Sequence, residues 1–140
     1  MNKVILAFVL VFACGIAVSQ EDGTLTLTVN GIATLKGNLM IAVYDSEESF
    51  NTDKEPVTVF RKKVDGRSMT VSFRQLAPGT YGIKLYQDKN ENGKLDSLIV
   101  PLEPYGISNN LKLRGAPTFQ DAAFEVKSGQ NSVAITMQGS

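Results

Sequence analysis

The run DKNENGKLD, residues 88–96, carries oxygen-bearing side chains at alternate positions around a glycine. In a calcium-binding loop, the first, third, fifth and ninth residues supply side-chain oxygens or waters, and the seventh supplies its backbone carbonyl. Glycine at the sixth position permits the sharp bend. The spacing therefore predicts a calcium site. Its expected ligand residues are Asp88, Asn90, Asn92, Lys94 (through its carbonyl) and Asp96.

This loop differs from an EF-hand, and a second interpretation stays open. A strand-like segment, residues 81–87, leads into it, and Ile99 stands at position twelve in place of a bidentate Glu. Without that Glu we expect weak affinity, with a Kd on the order of 0.1 to 1 mM, and a structural role for calcium. Alternatively, Asn92 and Gly93 form a type I′ hairpin turn, and Asn90 bonds only the local backbone.

Other chemistry is limited by what the chain lacks. It has no histidine, which excludes Ser-His-Asp triads and histidine-ligated zinc, and its single cysteine is Cys14. No glycine-rich phosphate-binding motif follows a predicted strand. Lys and Arg together number 14, as do Asp and Glu, and no charged blocks occur. This balance disfavours nucleic acid as a partner. Because the common catalytic residue types and motifs are missing, we expect a non-enzymatic protein.

Alternative functions depend on carboxylates or on aromatic rings. A secreted carbohydrate hydrolase would need an acid and a base, for which Glu103 with Asp96 or Asp121 are the candidates. Carbohydrate binding would instead use exposed rings. The candidate rings are Tyr44, Tyr86 and Tyr105. A carrier with an apolar ligand inside the fold is disfavoured, because the predicted inward side chains fill space.

The N-terminus has the pattern of a secretory signal peptide. Lys3 precedes an unbroken apolar run, residues 4–13, and small residues follow as far as Ser19. The run is about ten residues long, whereas a membrane-spanning helix needs about twenty. We therefore expect export and no stable membrane insertion.

Cleavage after Ser19 would divide the chain into two parts. Residues 1–19 are the predicted signal peptide, and residues 20–140 are a predicted single β-sandwich domain, secreted or periplasmic. The mature domain would then have no cysteine and no disulfide. The alternative is a lipoprotein anchored through Cys14, although the bulky Phe12 does not suit lipoprotein processing. The partner is expected in the cell envelope or outside the cell, and the sequence identifies neither it nor the oligomeric state.

Apolar and polar residues alternate along the mature chain with the period of two that is typical of strands. With turn signals about every dozen residues, this predicts an all-β, two-sheet sandwich of about seven strands. Residues 77–80 predict a hairpin, residues 88–117 a long polar loop, and residues 45–50 and 118–121 short capped helical turns. The predicted core residues are Leu27, Leu39, Ile41, Val43, Val71, Phe73, Ile83, Leu85, Phe124, Val126, Val133 and Ile135.

Three segments, in order, are similar to the signature blocks of a family of small exported bacterial proteins, domain of unknown function 2141. They are DKNENGKLD (88–96), PLEPYGISNN (101–110) and GAPTFQDAAFEV (115–126), preceded by LAPGTYGI (76–83). The resemblance implies export and an immunoglobulin-like or prealbumin-like sandwich fold, and it implies no activity or ligand. Ile107 stands where members usually carry phenylalanine. The stretch between Asp96 and Pro101 is shorter than usual and lacks an Asn and a Gly, so a metal site here would lose any ligand that this Asn supplies.

Overall fold

The structure, a computed structural model, describes residues 15–95 and 101–139. These residues form eight β-strands, two short α-helices and one 3-10 turn. The helices are α1 (Glu47–Thr52) and α2 (Phe119–Ala122), and the 3-10 turn spans Ser108–Asn110. The strands are β1 (Gly23–Asn30), β2 (Asn38–Tyr44), β3 (Thr58–Lys63), β4 (Met69–Leu76), β5 (Gly79–Asp88), β6 (Tyr105–Ile107), β7 (Phe124–Val126) and β8 (Gly129–Thr136). None of the helices in these ranges has the length and apolar character needed to cross a membrane.

The strands form two packed sheets, which confirms the predicted all-β sandwich. The three-stranded sheet has the order β4-β1-β8, with β1 antiparallel to β4 and parallel to β8. The five-stranded sheet has the order β3-β2-β5-β6, and β7 also pairs with β5. The additional strand is β6, whose three residues lie within the predicted long loop.

The predicted hairpin at residues 77–80 is wrong, although the chain does turn there. β4 pairs with β1 in the three-stranded sheet, whereas β5 pairs with β2 in the other sheet. The turn therefore carries the chain from one sheet to the other, and the connection between β7 and β8 does the same. Turn residues determine a local change of direction, whereas the burial of each strand's apolar face selects its partner.

The main core lies between the sheets and consists of residues in phase along each strand. In β1, Leu25, Leu27 and Val29 are buried and the residues between them are half-buried. Of the predicted core residues, all but Phe124 and Val133 are buried. These two are half-buried and pack against the core. Phe124 belongs to a strand of three residues, and Val133 lies on the edge strand β8, so neither is enclosed on all sides.

A second hydrophobic cluster covers the outer face of the five-stranded sheet. Its buried members are Tyr44, Phe50, Ile107 and Ala122. The helices α1 and α2 supply Phe50 and Ala122. Both helices are capped, because the side chains of Ser46 and Thr118 each accept a hydrogen bond from an amide in the first turn. Thr118 is the predicted cap, whereas the spacing of Asp45 and Glu48 predicts Asp45 as the cap of the first helix. The two short helices therefore bury one face of the sheet.

The polar run Ser108, Asn109 and Asn110 fastens the long loop to its surroundings. The buried Ser108 hydroxyl accepts a hydrogen bond from a β5 amide at 3.0 Å and donates one to a carbonyl of α2. Asn109 donates to carbonyls in and just after α2, at 2.8 and 2.9 Å. Asn110 accepts from a β8 amide at 2.8 Å. These contacts give the run a structural role, since each side chain satisfies backbone groups of another element.

Candidate functional site

Asp88, the last residue of β5, organises the loop that follows it. The residue is fully buried, and strand pairing places it opposite Asn38 of β2. Its Oδ1 accepts a hydrogen bond from the Asn92 amide at 3.1 Å, and its Oδ2 accepts one from the Gly93 amide at 2.8 Å. The carboxylate therefore folds the loop back onto the end of the sheet.

Two asparagine side chains make similar contacts with amides that are closer in the sequence. Asn90 Oδ1 accepts from the Asn92 amide at 3.2 Å, and Asn92 Oδ1 accepts from the Lys94 amide at 2.9 Å. Asn side chains commonly bond the backbone two residues further on and so stabilise turns of this kind. Because Asp88 and Asn90 bond the same amide, their oxygens lie close together.

The backbone of this loop differs from the type I′ hairpin turn. That turn requires positive φ at both central residues, which would be Asn92 and Gly93. Positive φ instead occurs at Glu91 (59°) and Gly93 (76°), and Asn92 is not among the residues with positive φ. The hairpin interpretation is therefore wrong in this form. Capture of two successive amides by the Asp88 carboxylate gives the loop a different course.

Residues from distant parts of the chain hold the loop in place. Glu103 is buried, and its Oε1 accepts a hydrogen bond from the Lys89 amide at 2.8 Å. Asn38 Nδ2 donates to Glu91 Oε1 at 3.3 Å. Sequence reasoning did not link Glu103 or Asn38 to the loop. Spacing within one segment carries no information about partners 14 and 53 residues away.

The structure brings together Asp88, Asn90 and Asn92 of the predicted calcium ligands, and Lys94 takes part through its amide. Asp96 lies outside the described residues. Carboxylate and amide oxygens are donors that Ca²⁺ prefers, and an oxygen with two lone pairs can accept a hydrogen bond and also coordinate an ion. Within residues 15–95 and 101–139, no group of three or more His, Cys, Asp or Glu side chains could hold a metal. The described carboxylates alone therefore do not form a metal site.

A cavity of about 560 Å³ lies on the outer face of the five-stranded sheet. Met40 and Ala42 of β2 line it, as do Gly93 and Leu95 from the loop after β5. The three tyrosines that the sequence indicates as candidate binding rings all line it. They are Tyr44, Tyr86 and Tyr105. The structure thus brings one set of sequence candidates into a single cavity, next to the predicted calcium loop.

The charged side chains lining this cavity, Lys84 and Asp53, pair with each other. Lys84 Nζ donates to Asp53 Oδ1 at 2.8 Å and to the Phe50 carbonyl at 2.5 Å, and it lies 4.2 Å from the centroid of the Phe50 ring. The Tyr44 hydroxyl donates to the same Asp53 oxygen at 3.5 Å. The lysine therefore joins the end of α1 to β5, and its charge is offset by Asp53.

Tyr44 is expected to make the fold less stable at alkaline pH. Burial raises the pKa of Tyr44 from 10.0 to about 12, and the charge and hydrogen bond of Asp53 act in the same direction. Because the folded-state pKa is the higher one, this stability is fully present below pH 10 and is lost as pH rises through 12. The loss should be about 2 kcal/mol. Measuring the free energy of unfolding across this range should show a shallower decline in Tyr44→Phe than in the unmutated protein, and equal slopes would contradict the assignment.

The described carboxylates considered for carbohydrate hydrolysis stabilise local structure. Glu103 accepts the Lys89 amide, as described above. Asp121 Oδ2 accepts a hydrogen bond from the Thr118 hydroxyl at 2.7 Å, and the Asp121 amide donates to that hydroxyl at 3.2 Å. The third candidate, Asp96, lies outside the described residues. Both Glu103 and Asp121 therefore take part in local hydrogen bonds.

A family model matches most of the chain, from residue 27 to residue 134. This range includes the loop, all the cavity-lining residues and at least part of every strand. No curated protein and no solved structure matches the chain. The matched family is described as an uncharacterized protein conserved in bacteria. By this match, the chain belongs to the domain of unknown function 2141 (DUF2141) family.

Proposed function

We propose that the chain is an exported, non-enzymatic β-sandwich module that acts by binding or as a structural element, with its 88–96 loop stabilised by calcium. One observation carries the calcium part of this proposal. The buried Asp88 carboxylate gathers the amides of Asn92 and Gly93, and Asn90 directs its oxygen at one of the same amides. Oxygen atoms that could coordinate an ion are therefore concentrated at the end of β5.

The proposed ligands are the side chains of Asp88, Asn90, Asn92 and Asp96 and the carbonyl of Lys94. A bound ion would supply positive charge to a segment whose carboxylates otherwise repel each other. With two carboxylates and no bidentate Glu, the expected Kd is on the order of 0.1 to 1 mM, as in extracellular calcium modules. Such an affinity suits an ion that holds the loop in one conformation.

Export is supported by the N-terminal sequence and by the exposure of the residues near the proposed cleavage site. Residues 15–22 form neither helix nor strand, and the first strand begins at Gly23. Ile16 and Val18 are 88% and 86% exposed. Cleavage after Ser19 would therefore remove no described element of the fold. Residues 1–14, including Cys14, lie outside the described residues.

The non-enzymatic part of the proposal is supported by the residue types that the chain offers. It has no histidine, and Cys14 is its single cysteine. A carbohydrate hydrolase using Glu103 or Asp121 has weaker support, because both residues already stabilise local structure. Binding is therefore the function with the better physical support.

Calcium is expected to raise the melting temperature of the mature protein. At about 100 times the Kd, binding to the folded state alone stabilises it by about 2.7 kcal/mol. For a domain of this size, that corresponds to a shift of about 10 °C. The measurement compares thermal melts in calcium, in magnesium at the same concentration and in chelator. No difference between calcium and chelator would leave the loop as an ordinary turn.

Two substitutions make this experiment specific. In Asp88→Asn, the calcium-dependent shift should fall to near zero, because the side chain loses its charge while keeping its size. The control is Asp65→Asn, since Asp65 is exposed and only 3.5 Å from Lys62 in a surface ion pair. It should keep the full shift. Because each variant is compared with itself in chelator, any change in basal stability cancels.

A further inference from the structure

The cavity on the outer face of the five-stranded sheet is distinct from the core between the sheets, although Ile41 and Leu85 belong to both. Its volume of about 560 Å³ falls within the range of small-molecule sites, about 300 to 1,000 Å³. The sandwich interior, by contrast, is filled by the main cluster of buried side chains. A small ligand would therefore bind outside the sandwich, against the sheet face that α1 and α2 partly cover.

The lining of this cavity is suited to rings. Tyr44, Tyr86 and Tyr105 come from three different strands and converge on it. Aromatic side chains prefer offset-stacked or edge-to-face contact with other rings. Met40 adds a thioether, which also makes favourable contacts with aromatic groups. Three rings and a thioether around one space favour a ligand that itself contains rings.

The charges of the lining favour a neutral ligand. In the part of the chain that the structure describes, Lys84 is the only cation and Asp53 the only anion that line the cavity. Their 2.8 Å ion pair leaves the lining with no net charge. An anionic or cationic ligand would find its counter-charge in the described lining already paired. A neutral ligand is the one that complements this electrostatic environment.

The polarity of the lining favours a largely apolar ligand over a sugar. Apart from the ion pair and the tyrosines, the lining consists of apolar side chains and glycines. A sugar has a hydroxyl on almost every carbon, and a hydroxyl that is buried without a hydrogen bond costs free energy. The hydroxyl of Tyr44, 3.5 Å from Asp53, offers a polar contact at one end of the cavity.

We infer that this cavity binds a neutral, ring-containing and largely apolar small molecule, with a hydroxyl group near Tyr44 and Asp53. This inference goes beyond the proposed calcium loop, because it assigns a ligand class to a second site and requires no bound ion. It places the ligand on the sheet face rather than in the sandwich interior or at the carboxylates.

A neutral fluorescent probe tests the inference on the mature protein. N-phenyl-1-naphthylamine has two linked ring systems and no charge. Its fluorescence should rise with protein concentration to saturation at one site, with a Kd below about 50 µM. The anionic analogue 1-anilinonaphthalene-8-sulfonate should bind at least tenfold more weakly. The disaccharide cellobiose should not displace the neutral probe. No saturable signal would overturn the inference, as would tighter binding of the anion, and displacement by cellobiose would assign the cavity to carbohydrate.

Matched tryptophan substitutions locate the bound probe. Ala42→Trp should fill the cavity from the sheet face, and Val59→Trp should fill it from a lining residue that is 59% exposed, where a substitution disturbs the core little. Both should weaken probe binding at least tenfold. The control is Thr70→Trp, on the exposed face of β4 in the other sheet, and it should bind as the unmutated protein does. If Val59→Trp and Ala42→Trp also bind like the unmutated protein, the probe site is elsewhere and the inference fails.

Discussion

Replacing Gly37 with alanine is expected to lower the free energy of unfolding by about 3 to 5 kcal/mol, because two separate penalties combine. Gly37 has φ of +70°, a conformation that alanine adopts only with strain. A Cβ there would also lie 2.0 Å from the Asp88 carbonyl oxygen and 2.7 Å from the Lys89 Cα. Both contacts are with backbone, so relief requires displacement of the strand end that begins the candidate calcium loop.

Gly129→Ala is the matched control for this substitution. Gly129 has a similar φ of +86°, but a Cβ there meets nothing within 4 Å. Gly129→Ala should lower the free energy of unfolding only by the strain of a left-handed backbone, about 1 to 2 kcal/mol. Measuring the free energy of unfolding of both variants in denaturant distinguishes backbone strain from the steric clash of the added Cβ with the Asp88 backbone. Equal losses would mean that the approach of Gly37 to Asp88 does not constrain the fold. The calcium-dependent shift should also decrease in Gly37→Ala and persist in Gly129→Ala.

Part of the internal organisation of the candidate loop could be predicted from the sequence, because its contacts are local. Asn90 does bond the nearby backbone, whereas the type I′ turn at Asn92 and Gly93 is not formed. Asp88, Asn90 and Asn92 bond amides two to five residues further on, and this is the range that spacing describes. The contacts that hold the loop to the sandwich could not be predicted. Gly37 and Glu103 reach it from segments far away in the chain, and the strand pairing that brings them there is a property of the whole fold.

The strands themselves show the same division. Alternation along β1 and β5 identifies which residues face the main core, since side chains alternate between faces with a period of two. Alternation does not identify the partner of each strand, which is why the hairpin prediction at residues 77–80 is wrong. β3 shows a further limit. Val59 pairs with Ala42 and lines the outer cavity, where it is 59% exposed, while Phe60 packs against the core, so apolar character alone did not indicate the buried face.

The outer hydrophobic cluster is the part of the fold that sequence periodicity could least predict. Ala42 and Tyr44 lie on the strand phase opposite to the main core, where a two-sheet sandwich normally faces solvent. The elements that cover them are helices of six and four residues, too short to give a helical stripe. The cavity is lined by this sheet face together with loop residues such as Pro56, Leu95 and Pro117, which are distant in the chain, so it too could not be read from the sequence.

Phe50 is the largest fully buried side chain of that cluster, and Phe50→Ala is expected to lower the free energy of unfolding by about 3 to 5 kcal/mol. The residue has no exposed surface, although it lies on a helix of six residues. Its ring makes edge contacts with Tyr44 and Phe119, with centroids 5.6 and 5.7 Å away. It also packs on Gly82 of β5, where an added Cβ would come within 3.0 Å of the ring.

Two further measurements distinguish loss of packing at Phe50 from loss of the helix alone. Phe50→Leu keeps most of the volume and should cost less than about 2 kcal/mol in the same denaturant experiment. Phe50→Ala should also lower the pKa of Tyr44 from about 12 toward 10.0, because burial is the main cause of its elevation. Tyrosine absorbance followed against pH reports this change directly, with Tyr44→Phe identifying the signal. If Phe50→Ala costs less than about 1 kcal/mol and leaves this titration unchanged, the outer cluster is not part of the cooperatively folded unit.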